Sequence, residues 1–327
     1  MESLLFSLDG REDLANSIIK STEKWSNRTK LGVIRKQKFS DGEISVDFTD
    51  SVRGKRVYLL TSPNTSDEII KLLLAIDAAK RGAAKEIIPV LPYFMYARQD
   101  KKDYSRGPIG AKVMSEMVER CGATSIITFD LHADQIQGFF NIPVTHLEGK
   151  HVFDETIFGY STLMTDIVLA GPDAGSGKRV KRMKDQLQKH YGLSVNYVML
   201  DKTRKEANVI DDMIIIGDVK DKDVFILDDM VDTAGTLCKA ADVLIDAGAK
   251  TVTAIISHGV LSGPAYERIT NSKLKRLIIS DSLETKTDDK ICVVSVAEVI
   301  GLAMSANNND MSYEALKFNK DTEKFIA

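Results

Sequence analysis

Short apolar runs alternate with amphipathic helical segments along this 327-residue sequence, and this alternation is the feature that most constrains its fold. Clear examples of the apolar runs are VYLL at 57–60, IIPVL at 87–91 and VFIL at 224–227. Each run has the length of a strand and is followed by a segment with the period of an amphipathic helix. Strand, helix and strand in succession produce a parallel sheet with helices on both faces. The sequence therefore predicts an α/β fold.

Capping residues and breakers place several element boundaries. Ser66 is the predicted N-cap of a helix that has Asp67 and Glu68 in its first turn and ends at Gly82. Pro89, inside an apolar run, predicts an edge strand or an irregularity. The other predicted strands are 125–129, 167–170, 195–200 and 252–256, and the other predicted helices are 109–120, 177–190 and 235–246.

Two segments of the chain resemble each other. LLLAIDAAKRGAAKEIIPVL at 72–91 and LCKAADVLIDAGAKTVTAII at 237–256 each contain a helix, a short turn, a lysine and an apolar strand. Either this is the appearance of any β-α-β unit, or the chain holds two related α/β domains from a duplication. The periodic segments are interrupted at HLEGKH, so the predicted domains are 1–147 and 148–304. A polar, Asn-rich tail over 305–327 is predicted to be peripheral.

The composition excludes several classes of protein. Hydrophobic residues make up 43% and charged residues 28%, which is typical of a globular protein. A formal net charge of -3 argues against a protein that coats nucleic acid or an anionic membrane, and no apolar run approaches roughly 18 residues. Three cysteines far apart in sequence, without metal-ligand spacing, favour a reducing compartment. We therefore expect a cytoplasmic protein with neither nucleic acid nor membrane as partner.

The most informative motif is VFILDDMVDTAGT at 224–236. Ligands of open α/β sheets bind at the carboxyl ends of strands, and a small-residue loop at a helix N-terminus presents N–H groups to a phosphate. The paired acids would repel a phosphate but accept hydrogen bonds from vicinal hydroxyls, so the predicted ligand is a sugar phosphate. The alternative is that the acids merely end a strand and cap a helix. The predicted ligand-binding residues are Asp228, Asp229, Asp232, Thr233, Ala234, Gly235 and Thr236.

Four further motifs carry polar side chains that suit nucleotide chemistry. FSDGE at 39–43 is by itself only a turn signal, whereas PYFMYARQDKKDYSR at 92–106 places aromatic rings beside cations, which suits a purine and its phosphates; the alternative is a solvated charged loop. In DLHADQIQGFF at 130–140, the alternating Asp130, His132 and Asp134 are predicted to share a side and to hold a divalent metal. VLAGPDAGSGKRVKR at 168–182 fails the P-loop pattern but suggests metal and phosphate near Asp173.

Taken in order, FSDGE, YARQD, DLHADQIQGFF, PDAG and DDMVDTAGT resemble the motifs of ribose-phosphate pyrophosphokinases, also called phosphoribosyl pyrophosphate synthetases. The resemblance covers about Phe39 to Pro264. It implies two tandem phosphoribosyltransferase-type domains, each a mainly parallel sheet flanked by helices. The first would be the ATP side with a degenerate sugar site, and the second would bind ribose 5-phosphate.

The resemblance also implies the reaction. An enzyme of nucleotide biosynthesis would transfer the diphosphoryl group of ATP to the anomeric hydroxyl of ribose 5-phosphate, giving 5-phosphoribosyl 1-pyrophosphate and AMP, with Mg²⁺ as cofactor. Self-association to a dimer or hexamer is implied, because the FSDGE loop serves a neighbouring subunit. The implied residues are Lys202 and Arg204 as catalytic cations in a mobile loop, Phe39, Asp41, Glu43, Arg98, Gln99 and Asp103 for ATP, His132 and Asp173 for the metal, and Ser51, Arg53, Lys102 and Ser105 for a regulatory site.

The sequence departs from the expected family motifs at two places, and two alternative functions remain open. GSG at 175–177 replaces a Gly-Gly pair and is expected to affect the turn at Asp173, and TSPNTSDE at 61–68 is shorter than usual. The chain would be a non-catalytic regulatory subunit if it had lost its catalytic cations, metal ligands or paired acids, but all are present. A phosphoribosyltransferase acting on a base would explain DDMVDTAGT and leave FSDGE and YARQD unused.

Overall fold

The computed structural model describes residues 1–23, 25, 28–164, 166–203, 212–286 and 288–314. The chain forms two compact units, one made of Met1–Glu148 with the segment that begins at Val296, the other of Gly149–Ser295. The strands are β1 Ser3–Ser7, β2 Thr29–Leu31, β3 Ile34–Lys38, β4 Ile44–Phe48, β5 Arg56–Leu60, β6 Glu86–Leu91, β7 Ile126–Phe129, β8 Val144–Leu147, β9 Ile167–Gly171, β10 Asn196–Thr203, β11 Asp212–Ile216, β12 Asp223–Val231, β13 Thr251–Gly259, β14 Arg276–Ser280 and β15 Ile291–Val294. The α-helices are α1 Glu12–Thr22, α2 Ser66–Arg81, α3 Gly110–Cys121, α4 Lys150–Ser161, α5 Gly177–Tyr191, α6 Gly235–Asp246, α7 Ala265–Asn271 and α8 Ala297–Asn308.

The first unit is built on a parallel sheet with the order β2-β1-β5-β6-β7-β8, and an antiparallel hairpin of β3 and β4 lies beside it. All five residues of β1 and all five of β5 are buried, as expected for parallel strands that are covered on both faces. Leu4, Val57 and Leu72 belong to the core cluster on one face of the sheet. This confirms the α/β fold that the alternating pattern predicts.

The second unit repeats this strand order. Its sheet runs β11-β10-β9-β12-β13-β14-β15, which is the order of the first sheet with the antiparallel strand β11 added at one edge. The similar segments 72–91 and 237–256 fall on equivalent elements, the first on α2 and β6 and the second on α6 and β13. The shared topology favours the duplication over a chance likeness of two β-α-β units.

The start of α2 differs from the prediction by one residue. Thr65, and not Ser66, is the N-cap, because its hydroxyl accepts the N–H of Glu68 at 3.3 Å while the Glu68 carboxylate accepts the N–H of Thr65 at 3.1 Å. This reciprocal pair is a capping box, which satisfies two donors at the helix start. Gly82 is the C-cap, as predicted.

Pro89 lies in a strand inside the sheet, so the predicted edge strand is wrong, whereas the predicted alternative, an irregularity, is confirmed. It is paired with Leu59 of β5, whereas the register of β6 with β7 begins only at Val90 and Ile127. Upstream of the proline, Thr124 replaces that ladder: its hydroxyl accepts the N–H of Ile87 at 3.0 Å, and its own N–H donates to Ile87 O at 2.8 Å. The missing N–H of proline is therefore accommodated by a shortened ladder on one side.

The C-terminal part of the chain differs most from expectation. The segment from Val296 belongs to the first unit, although 148–304 was expected to form the second domain and 305–327 a peripheral tail. Helix α8 is almost entirely buried, and Tyr58 Oη donates to the carbonyl of Met304 at 3.3 Å and to Asn308 Oδ1 at 3.1 Å. The polar composition wrongly predicted a peripheral tail, because Asn308 is a buried hydrogen-bond partner and not an exposed residue. Residues 315–327 lie outside the described part of the chain.

Candidate active site

The acidic pair lies at the carboxyl end of β12, in the middle of the second sheet. Asp229 is buried, and its N–H donates to Asp228 Oδ1 at 3.0 Å. Strand β12 continues to Val231, so both carboxylates stand within the strand and not after it. Its neighbours are β9 and β13, and the residues that follow those strands reach the same edge of the sheet.

The electrostatic setting of Asp228 is unusual for a carboxyl group. Burial is the main cause, and the carboxylates of Asp229 and Asp173 add to it, while Arg179 opposes them, so that the pKa of Asp228 rises to about 8. A carboxyl group in this state donates a hydrogen bond as well as accepting one. The pair is therefore suited to the hydroxyls of a sugar, which are themselves both donors and acceptors.

The loop from Asp232 to Thr236 leads directly into α6. Ala234 is the N-cap and has a left-handed backbone with φ +59°, and helix α6 begins at Gly235. The first N–H groups of a helix have no acceptor within it, and the helix dipole favours an anion at this end. A helix start of this kind can accept a phosphate, which is the role that the sequence predicts for this loop.

The segment after β13 holds this loop from one side. Ser262 Oγ donates to Asp232 Oδ1, and the Ser262 N–H donates to Asp232 O at 3.1 Å. Arg268, on α7, donates from Nη1 to the carbonyl oxygen of Thr233 at 2.9 Å. These two residues carry no motif in the sequence, and they are recognised only from their contacts.

Asp173 lies in a tight turn after β9, where the sequence departs from the expected Gly-Gly pair. Its Oδ1 accepts the N–H of Ser176 at 3.0 Å, and Ser176 Oγ donates back to the Asp173 carbonyl at 2.6 Å. A Cβ on Gly171 would come within 2.5 Å of Ser176 Oγ and 2.6 Å of Met199 Cε, so the glycine permits this close approach. The side chain of Ser176 thus stabilises the turn through a hydrogen bond that a glycine at this position could not make.

Only one of the two expected catalytic cations lies in the described part of the chain. Lys202 lies in strand β10, paired with Met213 of β11, so its expected position in a loop is wrong. The strand continues beyond its parallel pairing with β9, which ends at Met199, and becomes one arm of an antiparallel pair. Arg204 lies outside the described residues.

The predicted ATP-binding and regulatory residues of the first unit occupy exposed positions. FSDGE forms the tip of the hairpin between β3 and β4, where the N–H of Phe39 donates to the carbonyl of Glu43 at 2.8 Å and the N–H of Glu43 donates to Asp41 Oδ1 at 3.0 Å. Phe39 keeps 45% of its surface exposed. The remaining exposed residues of the predicted ATP and regulatory sites are Ser51, Arg53, Arg98, Gln99, Lys102, Asp103 and Ser105.

The YARQD segment is bound to two of its neighbours. Gln99 packs so closely on α3 that a Cβ on Gly110 would lie 2.6 Å from its Oε1, and its carbonyl accepts the N–H of Ala111 at 3.2 Å. Asp100 accepts a hydrogen bond from Gln135 Nε2 at 2.8 Å. The structure thus joins YARQD to the DLHADQ segment, which the sequence could not indicate.

The predicted alternation of Asp130, His132 and Asp134 does not occur. Strand β7 ends at Phe129, and Asp130 adopts a left-handed backbone with φ +43° and is 4% exposed. His132 is exposed, and Asp134 begins a short 3-10 helix. The two-residue period holds only for extended backbone, so these side chains do not share one side.

The fold and the site of the second unit define a phosphoribosyltransferase-type protein, in which a parallel α/β sheet carries an acidic strand end followed by a helix N-terminus. The phosphoribosyl transferase domain family matches residues 144–294, and the N-terminal domain of ribose phosphate pyrophosphokinase matches residues 3–122. FSDGE and YARQD lie in the N-terminal match, PDAG and DDMVDTAGT lie in the other, and DLHADQIQGFF at 130–140 lies between the two.

Curated relatives and a solved structure extend this likeness over nearly the whole chain. A ribose-phosphate pyrophosphokinase of Oceanobacillus iheyensis is 44% identical over 305 residues, covering 92% of each chain. One from Porphyromonas gingivalis is 46% identical over 276 residues, covering 84% of this chain and 86% of the relative. The crystal structure of phosphoribosylpyrophosphate synthetase from Mycobacterium smegmatis has a TM-score of 0.85 at 32% identity and covers 95% of this chain and 100% of its own.

The chain belongs to the ribose-phosphate pyrophosphokinase family, and it is an enzyme of this type that makes 5-phosphoribosyl 1-pyrophosphate. The comparisons give no support to a subunit with a regulatory role alone. In the part of the chain that the structure describes, no helix has the length and apolar character needed to cross a membrane.

Proposed function

We propose that the second unit binds ribose 5-phosphate at the end of β12, with Asp228 and Asp229 on the ribose hydroxyls and the loop Asp232–Thr236 on the 5-phosphate. The observation that carries this proposal is the sequence of two adjacent carboxyls and a helix N-terminus at one strand end. The raised pKa of Asp228 supports it, because a protonated carboxyl beside a second carboxylate offers both a donor and acceptors to the hydroxyls of a sugar.

The first unit is the ATP side in this proposal, and its own sugar site is degenerate. Arg98, Gln99 and Asp103 would bind the nucleotide, and the contact between Gln99 and α3 would keep this segment in place. Phe39, Asp41 and Glu43 would reach the adenine of a neighbouring subunit, since the hairpin tip is exposed. Self-association to a dimer or hexamer follows from that role.

Mg²⁺ is the cofactor in this proposal, and Asp173 of the second unit and His132 of the first are the residues that match metal ligands of the family motifs. Among the described residues, no three or more His, Cys, Asp or Glu side chains are grouped so that they could hold a metal ion by themselves. Mg²⁺ is commonly held by one or two carboxylates together with substrate phosphates. When bound, the ion would neutralise charge on the phosphate oxygens.

Lys202 and Arg204 are the proposed catalytic cations, an assignment that rests on the family motif. The diphosphoryl transfer needs positioning and charge stabilisation more than covalent help from the protein. The ribose hydroxyl would displace AMP at the β-phosphorus while the two cations offset the negative charge of the transferred group and of the leaving oxygen. Ser51, Arg53, Lys102 and Ser105 form the proposed regulatory surface, and the cytoplasm is the proposed location.

Phosphorus NMR of the purified protein with ATP, ribose 5-phosphate and Mg²⁺ tests the reaction. We expect AMP together with a new sugar-linked diphosphate. ADP with a singly phosphorylated sugar would contradict diphosphoryl transfer. Binding of ribose 5-phosphate without any turnover would instead support a regulatory subunit.

A further inference from the structure

We propose that Arg268 is a positioning residue that holds the phosphate-binding loop in its binding conformation. The inference rests on the proposed role of that loop. Its guanidinium Nη1 donates to the carbonyl oxygen of Thr233 at 2.9 Å, and it lies so close to Gly235 that a Cβ there would be 3.2 Å from the same nitrogen. Arg268 therefore contacts the loop just before the first turn of α6.

Because of the geometry of the peptide bond, this contact also determines the direction in which one N–H group points. The carbonyl of Thr233 and the N–H of Ala234 belong to one planar trans peptide, so they point in opposite directions. Since Arg268 holds the carbonyl toward α7, the N–H of Ala234 is directed away from α7. That N–H stands immediately before the free N–H groups at the start of α6, where the 5-phosphate is proposed to bind.

The backbone of Ala234 explains why the loop needs such a contact. Its φ of +59° is in the left-handed region, which is unfavourable for an L-residue with a side chain. A flip of the Thr233–Ala234 peptide would take Ala234 out of that region and would reverse the N–H. The hydrogen bond from Arg268 to the carbonyl opposes the flip, so it keeps a strained residue in the conformation that suits an anion.

Because of its surroundings, Arg268 can be replaced without a large change in the stability of the protein. The side chain is exposed and lines an open pocket of about 340 Å³ between α6 and α7, so its replacement leaves no hole in the core. Arg276 is a matched control, because it is also an exposed arginine of the second unit and donates to Tyr160 Oη at 3.3 Å.

Calorimetric titration of ribose 5-phosphate into the full-length protein tests the proposal. We expect Arg268→Gln to weaken ribose 5-phosphate binding by about tenfold, with the KM for ATP and the unfolding temperature nearly unchanged. Arg276→Gln should bind the sugar phosphate as the parent protein does. Arg268→Gln with unchanged affinity, or with an equal loss for ATP, would contradict the role.

A second substitution distinguishes positioning from a general structural effect. Ala234→Gly removes the penalty of the left-handed backbone, so in the Arg268→Gln background it should restore a large part of the lost affinity. No recovery would contradict the mechanism. If the unaltered protein itself fails to bind ribose 5-phosphate, it is the proposed function of the loop that fails, whereas normal binding by Arg268→Gln would remove only the present inference.

Discussion

Single residues determine the chemistry that the second unit offers. Asp228 and Asp229 are adjacent in sequence, and the local motif was enough to predict them as ligand-binding residues. The state of Asp228 depends on Asp173, which follows a different strand, and on burial. The motif was therefore enough to single out these candidates, whereas the raised pKa of Asp228 could not be predicted from the sequence.

Asp228→Asn should change how the stability of the ligand-free protein depends on pH. The raised pKa means that the folded unit favours the protonated carboxyl, so its favourable contribution is complete below the ordinary pKa of aspartate and is lost as the pH rises toward about 8. Asparagine is neutral throughout. We expect the variant to unfold at a higher temperature than the parent at about pH 9, with a smaller difference at about pH 5.

Thermal unfolding of the ligand-free protein at both pH values measures this effect. Asp289→Asn, the same substitution at an exposed carboxyl of the same unit, is the control for the substitution itself. A difference between Asp228→Asn and the parent that is equal at both pH values would contradict the assignment of the raised pKa to Asp228.

Lys202→Ala should lower the rate of the reaction while leaving the sugar site intact. Loss of one electrostatic donor to a transition state typically costs about 10²–10³-fold in turnover. The affinity for ribose 5-phosphate should be nearly unchanged. Steady-state kinetics and calorimetry measure the two effects, and near-normal turnover would remove Lys202 from the catalytic machinery. Lys275→Ala, at an exposed lysine just before the amino end of β14, is the matched control.

At the scale of elements, local signals predicted the helices and strands correctly but did not always predict the residues at which they begin and end. The predicted helix 235–246 coincides with α6, because a small-residue loop precedes it and no competing signal is present. The start of α2 was displaced because Thr65 and Ser66 are both good caps, and only the position of the Glu68 carboxylate decides between them. Strand β10 was longer than predicted, since its second half depends on its partner β11.

The two adjacent hydroxyl residues at the start of α2 allow a matched comparison. Thr65→Ala removes the cap and should cost about 1 kcal/mol in the stability of the helix start. Ser66→Ala lies one residue inside the helix and should cost less than about 0.5 kcal/mol, because alanine is a good helix former. Hydrogen exchange of the amides in the first turn of α2 measures both, and equal effects would contradict the capping box.

At the scale of the whole molecule, the chain returns to its first unit after completing the second. Asn308, on α8, links three parts of the first unit: its Oδ1 accepts from Tyr58 Oη at 3.1 Å and from Arg56 Nη1 at 3.3 Å, and its Nδ2 donates to Thr29 Oγ1 at 2.9 Å. All of these partners are buried. Helix α8 is therefore part of the first unit's structure and not a tail.

Asn308→Ala should destabilise the first unit strongly for a single substitution. It leaves buried donors of Arg56 and Tyr58 with fewer partners, which costs about 1–3 kcal/mol. Asp310→Asn is the control, because Asp310 is exposed, contacts Arg56 only at 3.5 Å, and is replaced by a residue that tolerates its left-handed backbone. Chemical denaturation of the full-length protein measures both, and a cost for Asn308→Ala no larger than that of the control would contradict the role of α8.

The sequence by itself determined the α/β fold, the family and the position of the loop that is proposed to bind the sugar phosphate. These features depend on hydrophobic periodicity, on small-residue loops and on motifs within about a dozen residues, all of which involve residues close together in the sequence. Only the tertiary structure decided that α8 joins the first unit, that Asp130 leaves the alternation, and that Arg268 and Ser262 hold the loop. Each of those depends on contacts between residues far apart in the chain, and the free energy of such contacts is set by burial and geometry that no local pattern records.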